Sequence, residues 1–217
     1  LGLTIANANG VPAGATGVVL NVTAVSPDAS GYVTVYPAGV TRPLASNLNF
    51  VPGDVVPNAV IVGIGTGGVV NLFNNAGTVD LVADIVGYFD ATSSNGTQLY
   101  PVTPVRALDT RIGTGAPAAR VGSAGVVDLT VRGANGIPTA ATAIIANVTA
   151  VTPDTAGYVT VWPAGVTRPL ASNLNFVPGD VVPNLVTVGI GSNGHVGLYN
   201  NAGTVDLVAD ITAYFAP

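Results

Sequence analysis

Few residues of this sequence have side chains that could perform acid–base or nucleophilic chemistry. The chain contains one histidine, His195, and no cysteine, glutamate or lysine. Catalysis needs a poised acid, base or nucleophile held beside its partner. Because His195 stands alone at the edge of a predicted turn, we interpret it as a surface residue. We therefore predict no catalytic residues and a protein that is not an enzyme.

Two pairs of aspartates are the remaining candidates for shared acid–base chemistry. Asp80/Asp84 and Asp206/Asp210 have the same spacing along predicted strands. Residues i and i+4 on a strand point to the same face and lie about 13 Å apart. That distance is too large for one shared proton-transfer site, so we expect each carboxylate to bond a turn amide or an arginine.

A calcium site is the one metal centre that the residue types suggest. Asp80 and Asp84, with Asn74 and Asn75, could supply some oxygen ligands if the chain folded them together. Calcium takes six to eight oxygens, more than this set offers. We predict no metal site and no cofactor.

Aromatic, amide, arginine and aspartate side chains recur in a combination typical of sugar recognition. A ring face can lie under the C–H side of a pyranose while planar amides and a guanidinium bond its hydroxyls. The alternative is that these residues cap loops and lie between the two halves of the chain. The candidate ligand-binding residues are Tyr32, Tyr36, Arg42, Asn47, Asn49 and Asp54, with Tyr158, Trp162, Arg168, Asn173, Asn175 and Asp180.

A second polar cluster consists of Arg106, Asp109 and Arg111. Its arginines could clamp a ligand, because guanidinium presents a planar fork to carboxylates or sugar hydroxyls. The interpretation we favour is a structural ion pair that fixes the register of the strand carrying it. Asn58 and Asn184, on the inward faces of their strands, are expected to bond backbone for the same structural reason.

These residues belong to a tandem repeat. Pairing residues 1–91 with 127–217, an offset of 126, gives 64 identical pairs of 91 without a gap, and Pro37–Asn58 equals Pro163–Asn184 over 22 residues. The segment Gln98–Gly125 has no counterpart in the first copy. We predict a first β-sandwich repeat at residues 1–90 that lacks its N-terminal strand, a linker at 91–98, and a complete second repeat at 99–217.

The composition predicts strands rather than helices. Glutamate, lysine and methionine are absent, glutamine occurs once, and valine, threonine, asparagine, glycine and proline abound. We predict an all-β fold of two tandem antiparallel sandwiches, immunoglobulin-like or jelly-roll-like, with almost no helix. The strands predicted in the first copy are Leu1–Ala8, Val18–Val25, Tyr32–Tyr36, Ser46–Val51, Val55–Ile64, Val69–Phe73 and Thr78–Phe89.

Charge and hydropathy limit the partners. Only 8% of residues are charged, 48% are apolar and the net charge is −5. An acidic chain without a basic stripe does not suit nucleic acid, and no apolar run reaches the roughly 18 residues of a membrane span. Such a weakly charged surface favours extended contact with protein or carbohydrate.

Four motifs together resemble a repeat module of secreted actinobacterial proteins. They are PVTPVRALDTR at Pro101–Arg111, LASNLNFVPGDVVPN in both copies, TVDLVADIVGYF at Thr78–Phe89 and TVDLVADITAYF at Thr204–Phe215. In that family the module occurs in tandem arrays or beside secreted hydrolases. The resemblance implies an extracellular or cell-surface location and a non-catalytic accessory role. The first copy departs from the full module because it lacks a counterpart of PVTPVRALDTR.

Two functions follow as hypotheses. The first is an extracellular structural or adhesive repeat protein whose modules stack or self-assemble, so that its partners are copies of itself. The alternative is a carbohydrate-binding module with one shallow site per repeat, for a cell-wall or extracellular glycan. Tyr100–Thr110, the one spare strand-like segment, could complete either copy. If it serves the second copy, the first must take a strand from another chain or remain open-edged.

Overall fold

The computed structural model describes residues 1–91 and 96–217. The chain divides into two compact units, Leu1–Gly96 and Thr97–Pro217, called here the first and the second unit. Both are built of antiparallel strands, and the one helical segment among the described residues is a single 3₁₀ turn at Thr66–Gly68. The predicted all-β class with almost no helix is confirmed.

The first unit forms two antiparallel sheets of four and three strands, in the orders β1-β6-β3-β4 and β5-β2-β7. Each hairpin or crossover passes through a turn rich in glycine, proline or asparagine, residues that supply the required dihedral angles. The strands are β1 (Gly2–Thr4), β2 (Ala15–Val25), β3 (Gly31–Pro37), β4 (Leu48–Phe50), β5 (Val55–Gly63), β6 (Val69–Asn74) and β7 (Asp80–Asp90).

The second unit repeats this arrangement and adds one strand. Its sheets have the orders β12-β11-β14-β9 and β13-β10-β15-β8, four strands each. The added strand, β8, lies at the edge of its sheet beside β15. The strands are β8 (Gln98–Asp109), β9 (Val126–Thr130), β10 (Ala143–Val151), β11 (Gly157–Pro163), β12 (Leu174–Phe176), β13 (Val181–Gly189), β14 (His195–Asn200) and β15 (Asp206–Ala216).

Each unit encloses its own apolar core between its two sheets. In the first unit Val18 and Leu20 of β2 belong to the same buried cluster as Val33 of β3. In the second unit Ile144 of β10 and Val159 of β11 have the corresponding places. Burial of these aliphatic side chains is the main favourable contribution to folding of each sandwich.

The strand predicted at Leu1–Ala8 is shorter than expected. Regular pairing covers only Gly2–Thr4, which pair with β6. The backbone N–H groups of Ile5 and Ala6 both donate to Gly68 O, and Asn7 has a φ of 59°, outside strand geometry. The left-handed asparagine therefore ends the ladder where alternation alone would continue it.

The strand predicted at Ser46–Val51 also shrinks, to Leu48–Phe50. The backbone N–H of Asn47 still donates to Val33 O at 2.9 Å, but its side-chain Oδ1 takes the place of a backbone carbonyl and accepts the N–H of Val35 at 2.7 Å, so the regular ladder begins only at Leu48. The turn that follows agrees with the sequence. Asp54 N–H donates to Val51 O at 3.2 Å, and Gly53 has the positive φ of 82° that a type II turn needs.

The alternation of apolar and polar residues predicts the wrong face for one side chain in β3 and one in β11. Thr34 and Trp162, expected on the outward faces, are buried. The hydroxyl of Thr34 donates to Ala45 O at 2.5 Å, because the following loop folds over that face of the sheet.

Part of the predicted linker at 91–98 lies outside the described residues. The strand that follows it, β8, begins at Gln98, two residues before the predicted Tyr100. The described part of the chain contains no helix long and apolar enough to cross a bilayer.

Candidate functional site

The identical stretch Pro37–Asn58 forms a long, largely exposed loop that leaves β3, crosses over the sheet as β4 and turns into β5. The equivalent segment of the second unit, Pro163–Asn184, follows the same path from β11 through β12 into β13. We call these the first and second crossing loops. Most of the ligand residues predicted from sequence lie on them, so their geometry decides what those residues can do.

Two polar side chains of each loop cap backbone groups of their own unit. In the first unit Asn47 Oδ1 accepts from Val35 N–H at 2.7 Å, and Asp54 Oδ2 accepts from Val51 N–H at 2.8 Å. Asn58 is also engaged, since its side-chain amide donates to Asn47 O at 2.5 Å. These bonds hold the loop against β3.

The second unit repeats the caps. Asn173 Oδ1 accepts from Val161 N–H at 2.6 Å, and Asp180 Oδ2 accepts from Val177 N–H at 2.9 Å. The amide of Asn184 donates to Asn173 O. Equal contacts at equal positions explain why these residues recur in both copies.

The amides of Asn49 and Asn175 stand on the exposed or half-exposed side of the short strands β4 and β12. Each accepts, through Oδ1, a bond from the serine three residues earlier: Ser46 Oγ at 2.9 Å and Ser172 Oγ at 3.0 Å. Asn49 is exposed, whereas the side-chain Nδ2 of Asn175 is buried and has no hydrogen-bond partner among the described residues.

The arginine of each crossing loop lies flat against an aromatic ring. Arg42 Cζ is 4.0 Å from the centroid of Phe73 in β6, and Arg168 Cζ is 3.8 Å from that of Tyr199 in β14. A guanidinium over a ring face is attracted by the ring quadrupole. The stack fixes the loop stem, and it leaves Arg42 exposed and Arg168 half-exposed.

The four candidate aromatic residues have different settings. Tyr32, Tyr36 and Tyr158 are half-exposed, whereas Trp162 is only 8% exposed. The indole N–H of Trp162 donates to Val166 O at 3.2 Å. Trp162 therefore braces the stem of the second crossing loop and presents little ring face to solvent.

Apolar side chains occupy the tips of the crossing loops. Leu44 and Leu170 are each 96% exposed, and Val40 and Val166 are exposed beside them. None of these residues is among the candidate ligand residues, although Leu44 and Leu170 open the motif LASNLNFVPGDVVPN. The signal available in the sequence was their place inside the identical stretch.

The Arg106 cluster centres on a buried carboxylate. Asp109, with a side chain 1% exposed, accepts from Arg106 Nη1 at 2.9 Å and from Arg111 Nη2 at 2.6 Å. Hydrogen bonds from Arg111 are the main cause that lowers the pKa of Asp109 to about 2. The positive charge of Arg111 and the hydrogen bond from Arg106 also lower this pKa. Arg106 also reaches across to β15, where its Nε lies 2.5 Å from Asp210 Oδ1.

Two further residues of this region bind β15 or its approach. Thr110, buried, donates through its hydroxyl to Asp206 Oδ1 at 2.9 Å and accepts from Leu207 N–H at 3.0 Å. Arg120 donates to Thr152 O at 2.5 Å and to Thr204 O at 2.8 Å. Neither residue is among the candidates named from the sequence, although both lie in the segment that only the second copy has and Thr110 lies inside PVTPVRALDTR.

The four aspartates considered for acid–base chemistry are not equivalent. Asp206 and Asp210 are bonded as described, but no cation lies within ion-pair distance of Asp80 or Asp84 in the described part of the chain. Burial raises the pKa of Asp84 above its ordinary value. The expected arginine partner therefore exists in the second unit alone.

His195 begins β14 and is half-buried. Its Nδ1 lies 3.1 Å from Asp128 Oδ2 of β9, and its Nε2 lies 3.4 Å from the hydroxyl of Thr130. The pair joins two neighbouring strands at the surface. Among the described residues, no three histidine, cysteine or acidic side chains converge as metal ligands.

A cavity of about 10 Å³ lies in the core of the second unit. Aliphatic side chains line it, among them Leu129, Ile144 and Ala146. A space of this size holds about one water, and an apolar lining leaves such a space dry. It is a small packing defect and offers no room for a ligand.

No protein-family model matches the chain, and no curated protein is significantly similar to it. The resemblance to a secreted actinobacterial repeat module stays a prediction.

Proposed function

We propose that the protein is a non-enzymatic extracellular structural or adhesive repeat protein whose β-sandwich modules self-assemble at the cell surface. The observation that carries this proposal is the identity of the two crossing loops. Exposed loops normally vary more than the strands they connect, yet here the 22 identical residues lie mostly on the surface. The same surface is thus presented twice by one chain.

The chemistry of that surface favours contact with protein. Capping bonds engage Asn47, Asp54 and their equivalents within each unit, and the exposed tips are leucine and valine. A repeated apolar tip on a chain with few charges is suited to docking against another protein surface. Two equal tips per chain also allow multivalent contact, which strengthens weak individual contacts. The extracellular location rests on the resemblance given above.

Replacing the tip leucines tests the proposal. The double variant Leu44→Asn, Leu170→Asn removes the two apolar tips without changing a capping bond. We expect wild-type protein to self-associate with rising concentration and the double variant to remain monomeric by light scattering. Thr41→Asn with Thr167→Asn, on the same loops, is the matched control and should associate like the wild type. Equal association of the tip variant and the wild type would refute a role for the tips.

A carbohydrate-binding module is the second candidate. The observation that favours it is the half-exposed aromatic face of the second unit, where the rings of Tyr158 and Tyr199 are 6.4 Å apart and Arg168 stacks on Tyr199. A glycan array on the purified protein discriminates between the functions. If a glycan binds there, Tyr158→Ala should weaken binding by about 1–3 kcal/mol. Affinity unchanged in that variant would remove the sugar site.

A further inference from the structure

Two of the six arginines of the chain differ from the others in their contacts. The other four donate hydrogen bonds to carboxylates or backbone carbonyls of the second unit; they are Arg106, Arg111, Arg120 and Arg132. Arg42 and Arg168 form no hydrogen bond and no ion pair with any described residue. In the described part of the chain, unbound guanidinium groups therefore occur on the two crossing loops alone.

Aromatic stacking holds these two guanidinium groups in place. Arg42 Cζ lies 4.0 Å from the ring centroid of Phe73, and Arg168 Cζ lies 3.8 Å from that of Tyr199. The stack engages the face of the guanidinium and uses none of the five N–H donors that arginine arranges as a planar fork. A group that is already oriented loses less conformational entropy when it binds a ligand.

The unbound arginine does not depend on the segment that only the second unit has. Arg168 belongs to the unit that contains β8, and Arg42 belongs to the unit without such a strand. Neither has a carboxylate within ion-pair distance among the described residues. The same arrangement in two different surroundings is a property of the crossing loop itself.

A half-exposed tyrosine accompanies each arginine. The ring of Tyr158 lies 6.4 Å from that of Tyr199, on which Arg168 stacks. Tyr32 has the equivalent position on β3, which pairs with β6, the strand that carries Phe73. Both tyrosines are half-exposed. Each unit thus offers one unbound cation together with one accessible aromatic ring.

The charge of the chain limits which anions suit these sites. The net charge is −5, and each site has a single unbound arginine. A densely charged polyanion such as nucleic acid needs many cations to neutralise its phosphates. A sugar with one oxyanion needs one guanidinium fork for that group and one aromatic face for its C–H side.

We propose that each crossing loop carries a binding site for an acidic polysaccharide, a sugar polymer with carboxylate or sulfate groups. The guanidinium of Arg42 or Arg168 bonds the oxyanion, and the ring of Tyr32 or Tyr158 lies against the sugar. A repeated site matches a polymer, because such a ligand presents the same group many times. This inference goes beyond self-assembly and rests on the second candidate function for its ligand being a sugar.

Calorimetric titration with a trisaccharide of galacturonic acid tests the site. We expect saturable binding, and the double variant Arg42→Gln, Arg168→Gln should weaken it about fivefold, the scale of one exposed ion pair. Affinity should also fall as sodium chloride is raised, because salt screens exposed charges. Arg106→Gln is the matched control, since it removes one arginine from the other sheet of the second unit, and it should leave trisaccharide affinity unchanged.

The methyl ester of the same trisaccharide provides the reciprocal test on the wild-type chain. The ester lacks the negative charges, so it should bind about fivefold more weakly than the acid. It should bind the double variant as well as it binds the wild type, because the arginine no longer has a charge to meet. This comparison of acid and ester on wild-type protein decides the question even if the substitutions disturb the loops.

A sulfated trisaccharide of galactose identifies the preferred oxyanion. Tighter binding of the uronate assigns the site to carboxylates, and tighter binding of the sulfated sugar assigns it to sulfates. Absence of saturable binding of both sugars, equal affinity for acid and ester, or equal weakening by Arg106→Gln would overturn the proposal. A poly-aspartate peptide that binds more tightly than either sugar would also overturn it, in favour of an acidic protein.

Failure here and failure of the proposed functions are distinguishable. Trisaccharide binding is measured on single chains, so loss of association in the Leu44→Asn, Leu170→Asn variant would leave it unchanged. A neutral glycan that binds, is weakened by Tyr158→Ala and is unaffected by Arg168→Gln would keep the second candidate function and overturn this inference.

Discussion

At the residue scale, polar side chains of the crossing loops bond the backbone of their own unit. Asn47 and Asp54, which are candidate ligand contacts in the sequence, each accept a bond from a backbone N–H there. Asp54 caps the turn that begins three residues earlier at Val51, a local contact that the sequence alone could predict. Asn47 bonds Val35 across the crossing loop, and that contact exists only once β3 and β4 have paired.

The buried carboxylate Asp109 gives a pH-dependent prediction. Asp109→Asn should lower the free energy of unfolding of the second unit by about 2 kcal/mol at neutral pH, because charged hydrogen bonds to two arginines are lost. Since the folded pKa of Asp109 is lowered to about 2, its contribution is present above the unfolded value of about 4 and disappears as pH falls through the folded value.

Chemical denaturation of wild type and variant at several pH values measures this contribution. The difference in free energy of unfolding between wild type and Asp109→Asn should become smaller as pH falls from about 4 towards 2. Asp128→Asn, an exposed aspartate on β9, is the control and should change stability little. A difference between wild type and Asp109→Asn that stays constant down to pH 2 would contradict the assignment.

At the element scale, alternation and turn chemistry predict most strands and miss their ends. Tyr32–Tyr36 and Val55–Ile64 are confirmed almost in full as β3 and β5. The ends fail where a side chain or a left-handed asparagine replaces a ladder bond, as at Asn7 and Asn47. Which unit β8 would join was open in the sequence, because β7 and β15 offer it the same acceptor sequence.

Hydrogen exchange compares the two acceptor strands directly. The amides of Leu81–Ile85 that face the open edge should exchange faster than the equivalent amides of Leu207–Ile211, because β8 protects only the latter. NMR distinguishes the two segments in one sample, so each serves as the other's control. Equal protection of both strands would mean that the edge of β7 is covered in solution.

At the scale of the whole molecule, the repeat is the feature that the sequence predicts best. The offset of 126 residues pairs corresponding strands of the two units, from β1 with β9 to β7 with β15. The repeat does not reveal exposure, since the aliphatic residues of DLVADI are buried in the second unit and partly or largely exposed in the first. The exposed apolar tips of the crossing loops, by contrast, recur at equal positions in both units.

Sedimentation velocity over a wide concentration range tests self-assembly most directly. We expect the weight-average sedimentation coefficient to rise with concentration. The rise should persist or increase in added sulfate, because apolar contacts strengthen in kosmotropic salt whereas exposed ion pairs weaken. A chain that stays monomeric at every concentration, in low salt and in sulfate alike, would contradict self-assembly.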